Sequence, residues 1–184
     1  MSFKSFKETL EKIEASGVFK NFKYNNPKAE LCAGFFILDF IGNDDKYSLD
    51  YKLGEKIFTF NLDLEKNEIL IQEDKLIDIP PDSRQYQQKL EKISLSEVNI
   101  ELNELKSIVE TKTVDNNIKS KFQKIIAILQ TYNGSETKNK KIQIWNLTCI
   151  LDSLIIIHIL INSKTGRVLK FEKRSLSDMF KKSF

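Results

Sequence analysis

The run Leu154–Ile161, LIIIHILI, constrains this chain more than any other, because it is apolar at odd and even positions alike and must therefore be covered on two sides. Turn-forming residues bound it on both flanks. WNLTCIL precedes it after Asp152 and Ser153, and RVLKFEK follows it after Asn162-Ser163-Lys164-Thr165-Gly166. Trp145 to Met179 thus reads as a three-stranded antiparallel meander closed by a short helical turn at 175–179. One cover for the doubly apolar strand is expected to be helical, and the other to be a partner half, a second subunit or an apolar ligand.

From the amino end, Phe3, Phe6, Leu10 and Ile13 follow the helical period, with Gly17 as a stop. Asn25-Asn26-Pro27 resembles a helix start, so KAELCAGFFILDFIG is read as a second helix, although GFFILDF is equally rich in strand formers. YSLDYKL, KIFTFNLDL and EILIQ then alternate between turns and form a second meander, with a helical turn at 76–78. Pro80-Pro81 breaks the chain before SRQYQQKLEKI, read as a connecting helix.

The second half repeats the first. At a shift of 91 positions Ser16 meets Ser107, Val18 meets Val109, Asn25-Asn26 meet Asn116-Asn117, Lys28 meets Lys119 and Ile37-Leu38 meet Ile128-Leu129. After the strands the shift becomes 100, with Leu76 on Leu176 and Asp78 on Asp178. In the second copy FQKIIAILQTY carries apolar residues at 122, 125, 126, 129 and 132, a helical spacing. The expected fold is therefore α+β: two pseudo-equivalent units, each of two helices, a three-stranded antiparallel meander and a terminal turn. Residues 1–80 and 94–184 would be the repeats, 81–93 the connecting helix, and the halves would share one core.

Composition narrows the function. The net charge of +3 arises from 29 basic and 26 acidic residues dispersed along the chain, so a concentrated nucleic-acid footprint is missing. Cys32 and Cys149 lie in apolar surroundings outside any CxxC pattern, which fits reduced thiols and a cytoplasmic setting. Glu8, Glu11 and Glu14 interrupt the first segment, and no apolar run reaches a membrane-spanning length.

IHILINSKTGRVLKFE resembles the closing hairpin of PepSY-type domains, with Thr165-Gly166-Arg167-Val168-Leu169 matching and Asn162 where that family usually has Asp. The resemblance implies helices packed on a curved antiparallel sheet and a non-catalytic role. Gly166 fits such a turn because a positive φ disfavours other residues.

Little catalytic chemistry is encoded. His158 is the sole histidine, and Cys149 is the one nucleophile to set beside it; a satisfied core or interface histidine is the simpler reading. Asp39, Asp44, Asp45 and Asp50 lack calcium-loop spacing, and no phosphate-binding or zinc motif occurs, so neither metal nor cofactor is expected. The function read from these features is a non-catalytic intracellular interaction module that binds a protein partner or itself through Trp145, Ile156, His158 and Leu160. The alternatives are a nucleic-acid binder using a sheet surface and a carrier of an apolar ligand. No membrane partner is expected.

Overall fold

The computed structural model describes residues 5–42, 44–75, 90–138, 140–152 and 155–175. Among the described residues three α-helices, α1 (Phe6–Ala15), α2 (Gly17–Asn25) and α3 (Leu102–Asp115), accompany eight strands. These are β1 (Glu30–Asp39), β2 (Lys46–Leu53), β3 (Lys56–Asp63), β4 (Glu68–Lys75), β5 (Phe122–Tyr132), β6 (Ile142–Leu151), β7 (Ile155–Asn162) and β8 (Val168–Ser175). All eight form one antiparallel sheet in the order β4-β3-β2-β1-β5-β6-β7-β8.

The α+β class stands, but the arrangement of two units with paired helices and three-stranded meanders does not. Each half contributes four strands to a single sheet. The segments read as second helices are its two central strands, β1 and β5, paired from Ala33↔Gln130 to Asp39↔Lys124. A central strand carries apolar side chains on both faces, so Ile125, Ile126, Ile128 and Leu129 satisfy a helical spacing while sitting in a strand. Aromatic and β-branched content at Phe35, Phe36 and Ile37 settles the contest for the strand.

The first half also holds a helix, α2, where Gly17 was expected to end the helical region. Ser16 closes one helix and opens the next: its hydroxyl donates to Ile13 O at 2.6 Å and accepts from Phe19 N at 3.1 Å. The connecting helix expected at 81–93 falls largely outside the described residues, as do the helical turn at 76–78 and, apart from Ser175 at the end of β8, the one at 175–179. Residues 90–93 are neither helix nor strand, and Ile93 N donates to Leu31 O at 2.8 Å.

The helices cover one face of the sheet. Phe6, Leu10 and Ile13 of α1, Phe19 and Phe22 of α2, and Leu102, Leu105 and Val109 of α3 share one core with Phe36, Leu38, Leu49, Phe60, Leu129, Trp145, Leu147 and Ile159. Phe6, Phe36 and Trp145 meet edge to face with centroids 5.7–6.3 Å apart, joining residues of both halves. Glu101 ties α1 to α3: its Oε2 accepts Phe6 N at 2.7 Å, and Oε1 lies 3.8 Å from Lys7 Nζ without a hydrogen bond. Burial raises the Glu101 pKa despite the amides of Phe6 and Lys7. No described helix is long and apolar enough to cross a membrane.

Candidate functional site

The opposite face of the sheet carries no described helix, and strand register identifies what it displays. Across β2 and β3 it presents Asp50, Thr59 and Asn61, with Ser48 buried and donating to Phe35 O at 3.3 Å. Across β1 and β5 it presents Phe35 and Ile37 paired with Ile128 and Ile126. Across β6 and β7 it presents Asn146, Thr148 and Ile150 opposite Leu160, His158 and Ile156, and Lys170, Glu172 and Arg174 of β8 form its outer row. Phe35, Ile37, Ile126, Ile128, Ile150, Ile156 and Leu160 are half-buried, whereas their neighbours on the helix face, Phe36, Leu38, Ile125, Ala127, Cys149, Ile157 and Ile159, are buried. The open face is thus polar at Asp50, Thr59 and Asn61 of β2 and β3 and mostly apolar over β1, β5, β6 and β7.

The candidate pair is not brought together. Thr148 stands directly opposite His158 and Cys149 opposite Ile157, so alternation sends Cys149 into the helix-side core and His158 onto the open face. Cys149 is fully buried, and burial pushes its thiol up to about 12. A thiol in that state is a poor nucleophile. His158 Nδ1 lies 3.2 Å from Thr148 Oγ1. Its pKa is lowered, first by burial and then by the Arg174 charge, with Glu172 opposing. Of the proposed binding residues, Ile156, His158 and Leu160 share the open face. Trp145 does not: it is fully buried, and its Nε1 donates to Ile100 O at 2.9 Å.

The acidic residues near the β1–β2 turn serve the turn itself. Asp39 Oδ1 accepts Ile41 N at 3.0 Å and Gly42 N at 2.9 Å, and its Oδ2 lies 3.4 Å from Lys124. Those amides, with Lys124, hold its carboxyl down near about 2. Asp45 accepts Asp39 N at 2.8 Å and Asp50 accepts Thr59 Oγ1 at 2.7 Å. Among the described residues no group of three or more His, Cys, Asp or Glu side chains could hold a metal ion.

One end of the open face is shaped by the β5–β6 connection. Glu136, in the short 3-10 turn Ser135–Thr137, accepts Tyr132 Oη at 2.5 Å and lies 3.7 Å from Lys170 of β8. These contacts bring the connection across to the edge strand, and Ile144 at its foot is fully buried. The Tyr132 hydrogen bond is the first cause of the lowered Glu136 pKa. Phe35, Ile37, Ile126 and Ile128 escaped the sequence reading because their strands were taken for helices; the consecutive apolar pairs Phe35-Phe36 and Ile125-Ile126 were the available signal.

The Asn162–Gly166 turn shows how the sequence closes β7 on β8. Asn162 Oδ1 accepts the amides of Lys164 at 2.9 Å and Thr165 at 3.0 Å, while Gly166 adopts φ +72°. The side-chain carbonyl of Asn performs here the turn-capping role open to an Asp carboxylate.

The fold and this site define an α+β class with helices on one face of a single antiparallel sheet. No family model matches the chain, and no curated protein matches it. The crystal structure of "a putative lipoprotein" from Clostridium difficile 630 is similar to it, with TM-score 0.55 and 18% identity over 85% of this chain and 90% of that one. At that identity the likeness is one of fold.

Proposed function

We propose that this protein is a non-catalytic interaction module whose open sheet face, between β1 and β7, receives a partner. The observation that carries this reading is the contrast within that face: Ile126, Ile128, Ile150, Ile156 and Leu160 lie half-buried with no described helix over them. Apolar side chains gathered on one sheet face mark an interaction site more often than scattered single residues do. The fully buried Cys149 thiol, separated by the sheet from His158, supports a role without nucleophilic catalysis. Two buried, unpaired cysteines support a reducing, cytoplasmic setting.

A duplicated origin belongs to the same proposal. β1 and β5 pair symmetrically about Phe36↔Ala127, and the 91-residue shift equates these same two positions. The strand order is symmetric about that pair as well. A helix-then-sheet order in each half also supports kinship with PepSY-like domains.

A protein partner fits this face better than nucleic acid. Phe35 and Tyr132 are the aromatics on strands β1, β2, β5, β6 and β7 that lie outside the helix-side core, and Tyr132 is tied to Glu136 at one end, which gives poor stacking capacity. Lys124, Lys170 and Arg174 all face nearby carboxylates. The test places a photo-crosslinking phenylalanine analogue at Ile128 or Ile156, with Tyr24, 86% exposed on α2, as the control position. Protein adducts concentrated at 128 and 156 support the reading. Adducts equal at all three positions, or adducts consisting of nucleic acid and lost with added salt, contradict it.

A further inference from the structure

The two edges of the sheet are treated differently. β8 carries Lys170, Glu172, Lys173 and Arg174 in five positions, and the β5–β6 connection reaches it through Glu136 and Lys170. Charges and a covering loop are the usual means of blunting an edge. Among the described residues β4 has neither along Ile69, Leu70 and Ile71, which are consecutive, with Leu70 59% and Ile71 43% exposed. Its outer side faces no other strand of the sheet.

We infer that β4 is a self-association edge, at which a second copy of this chain pairs antiparallel with it about a twofold axis through Leu70. The register follows from two requirements. Directly opposed residues must point to the same face, which permits only pairings whose residue numbers share parity. Pairing centred on Leu70 sets Leu70 on Leu70, Ile69 on Ile71 and Glu68 on Gln72, so every apolar residue of the edge meets another. Centring on Ile71 sets Leu70 against Gln72 and Ile69 against Glu73, and centring on Ile69 sets Leu70 against Glu68. Only the first arrangement removes all three apolar side chains from water without a charged residue opposite them.

The interface is small. A ladder of about seven residues falls below the roughly 1,200 Å² of a standard interface, so the dimer is weak and concentration-dependent. Ile71 points to the helix side, in register with Phe60, and Leu70 to the open side, in register with Asn61. The contact therefore uses the strand edge itself. It stands or falls separately from the open face, because changes at Ile71 leave Ile126, Ile128 and Ile156 untouched.

Sedimentation of the full chain from about 10 μM to about 1 mM, a span suited to weak association, is expected to show a rising dimer fraction. Leu70→Lys and Ile71→Lys are each expected to weaken it about tenfold or more, since like charges would oppose each other or enter an apolar row. The register is tested by Leu70→Cys under mild oxidation. Opposed Cα atoms in antiparallel strands lie about 4.5–5.5 Å apart, within disulfide reach. Burial pushes the native Cys32 and Cys149 thiols up to about 12 each, so they do not compete. Leu70→Cys is expected to give covalent dimer far faster than Val114→Cys, a position 72% exposed on α3. A monomer at every concentration overturns the inference, whatever else takes the edge. Equal cross-linking at positions 70 and 114 overturns the register.

Discussion

The two halves of this sheet use the same strand order and different surfaces. On the helix side they are alike: Phe36, Leu49 and Phe60 in the first half and Leu129, Leu147 and Ile159 in the second are all fully buried. On the open side they diverge away from the central pair β1 and β5, with Asp50, Thr59 and Asn61 on β2 and β3 and Ile150, Ile156 and Leu160 on β6 and β7. A core must be filled in both halves for the sheet to hold its helices. The outer face has no such demand, so its apolar side chains need a separate reason, which an interaction surface supplies.

The largest effect should come from the shared core. Trp145→Ala removes an indole packed on Phe6 and Phe36 and leaves Ile100 O without its donor; we expect a loss of about 3–5 kcal/mol in chemical denaturation. If Trp145 lay on the binding surface instead, the loss would be a fraction of that. Next in size is Gly134→Ala, which tests the connection that distinguishes the second half. A Cβ there would meet Tyr132 Oη at 2.1 Å, so the ring or the loop must shift, at about 1–3 kcal/mol. A neutral result would show that this connection does not rest on Tyr132.

Ile128→Ser on the open face should cost about 1–2 kcal/mol, less than Trp145→Ala, because the side chain is only partly buried. A cost approaching that of Trp145→Ala would mean that the face is covered in the free protein. The smallest effect concerns His158. Its pKa is lower in the folded chain than in the unfolded one, so the folded state binds fewer protons. Stability associated with His158 is full above the unfolded value of about 6.5 and declines as pH falls through it toward the folded value. A titration of stability from about pH 7.5 to about pH 5 should show that slope in the native chain and lose it in His158→Gln. A proton-resonance midpoint for His158 at or above the unperturbed value would contradict it.

Much of the sheet was legible in the sequence. The turns at Gly54 and Gly166, both with positive φ, punctuate β2–β3 and β7–β8 where the alternation ends. The two central strands were not legible, because periodicity separates helix from strand only when one face is polar. Ile125-Ile126 and Phe35-Phe36 face both ways, and a helical spacing can be drawn through them as readily as a strand. That error hid the site: reading β1 and β5 as helices removed Phe35, Ile37, Ile126 and Ile128 from any surface. His158, Ile156 and Leu160 were recoverable because β7 sits between two clear hairpins. Trp145 was misplaced by one face, since nothing in WNLTCIL tells which alternate residues meet the helices.

The central claim is that the open face binds a partner over β1, β5, β6 and β7 and not over β2 and β3. The direct test compares two double variants of the full chain, Ile128→Glu with Ile156→Glu and Thr59→Lys with Asn61→Lys, for retention of the partner identified by cross-linking. The first pair should lower affinity about tenfold or more, as buried carboxylates without partners should, while the second pair should leave it within about twofold. Loss of binding with the Thr59 and Asn61 pair alone, or full retention with the Ile128 and Ile156 pair, would contradict it.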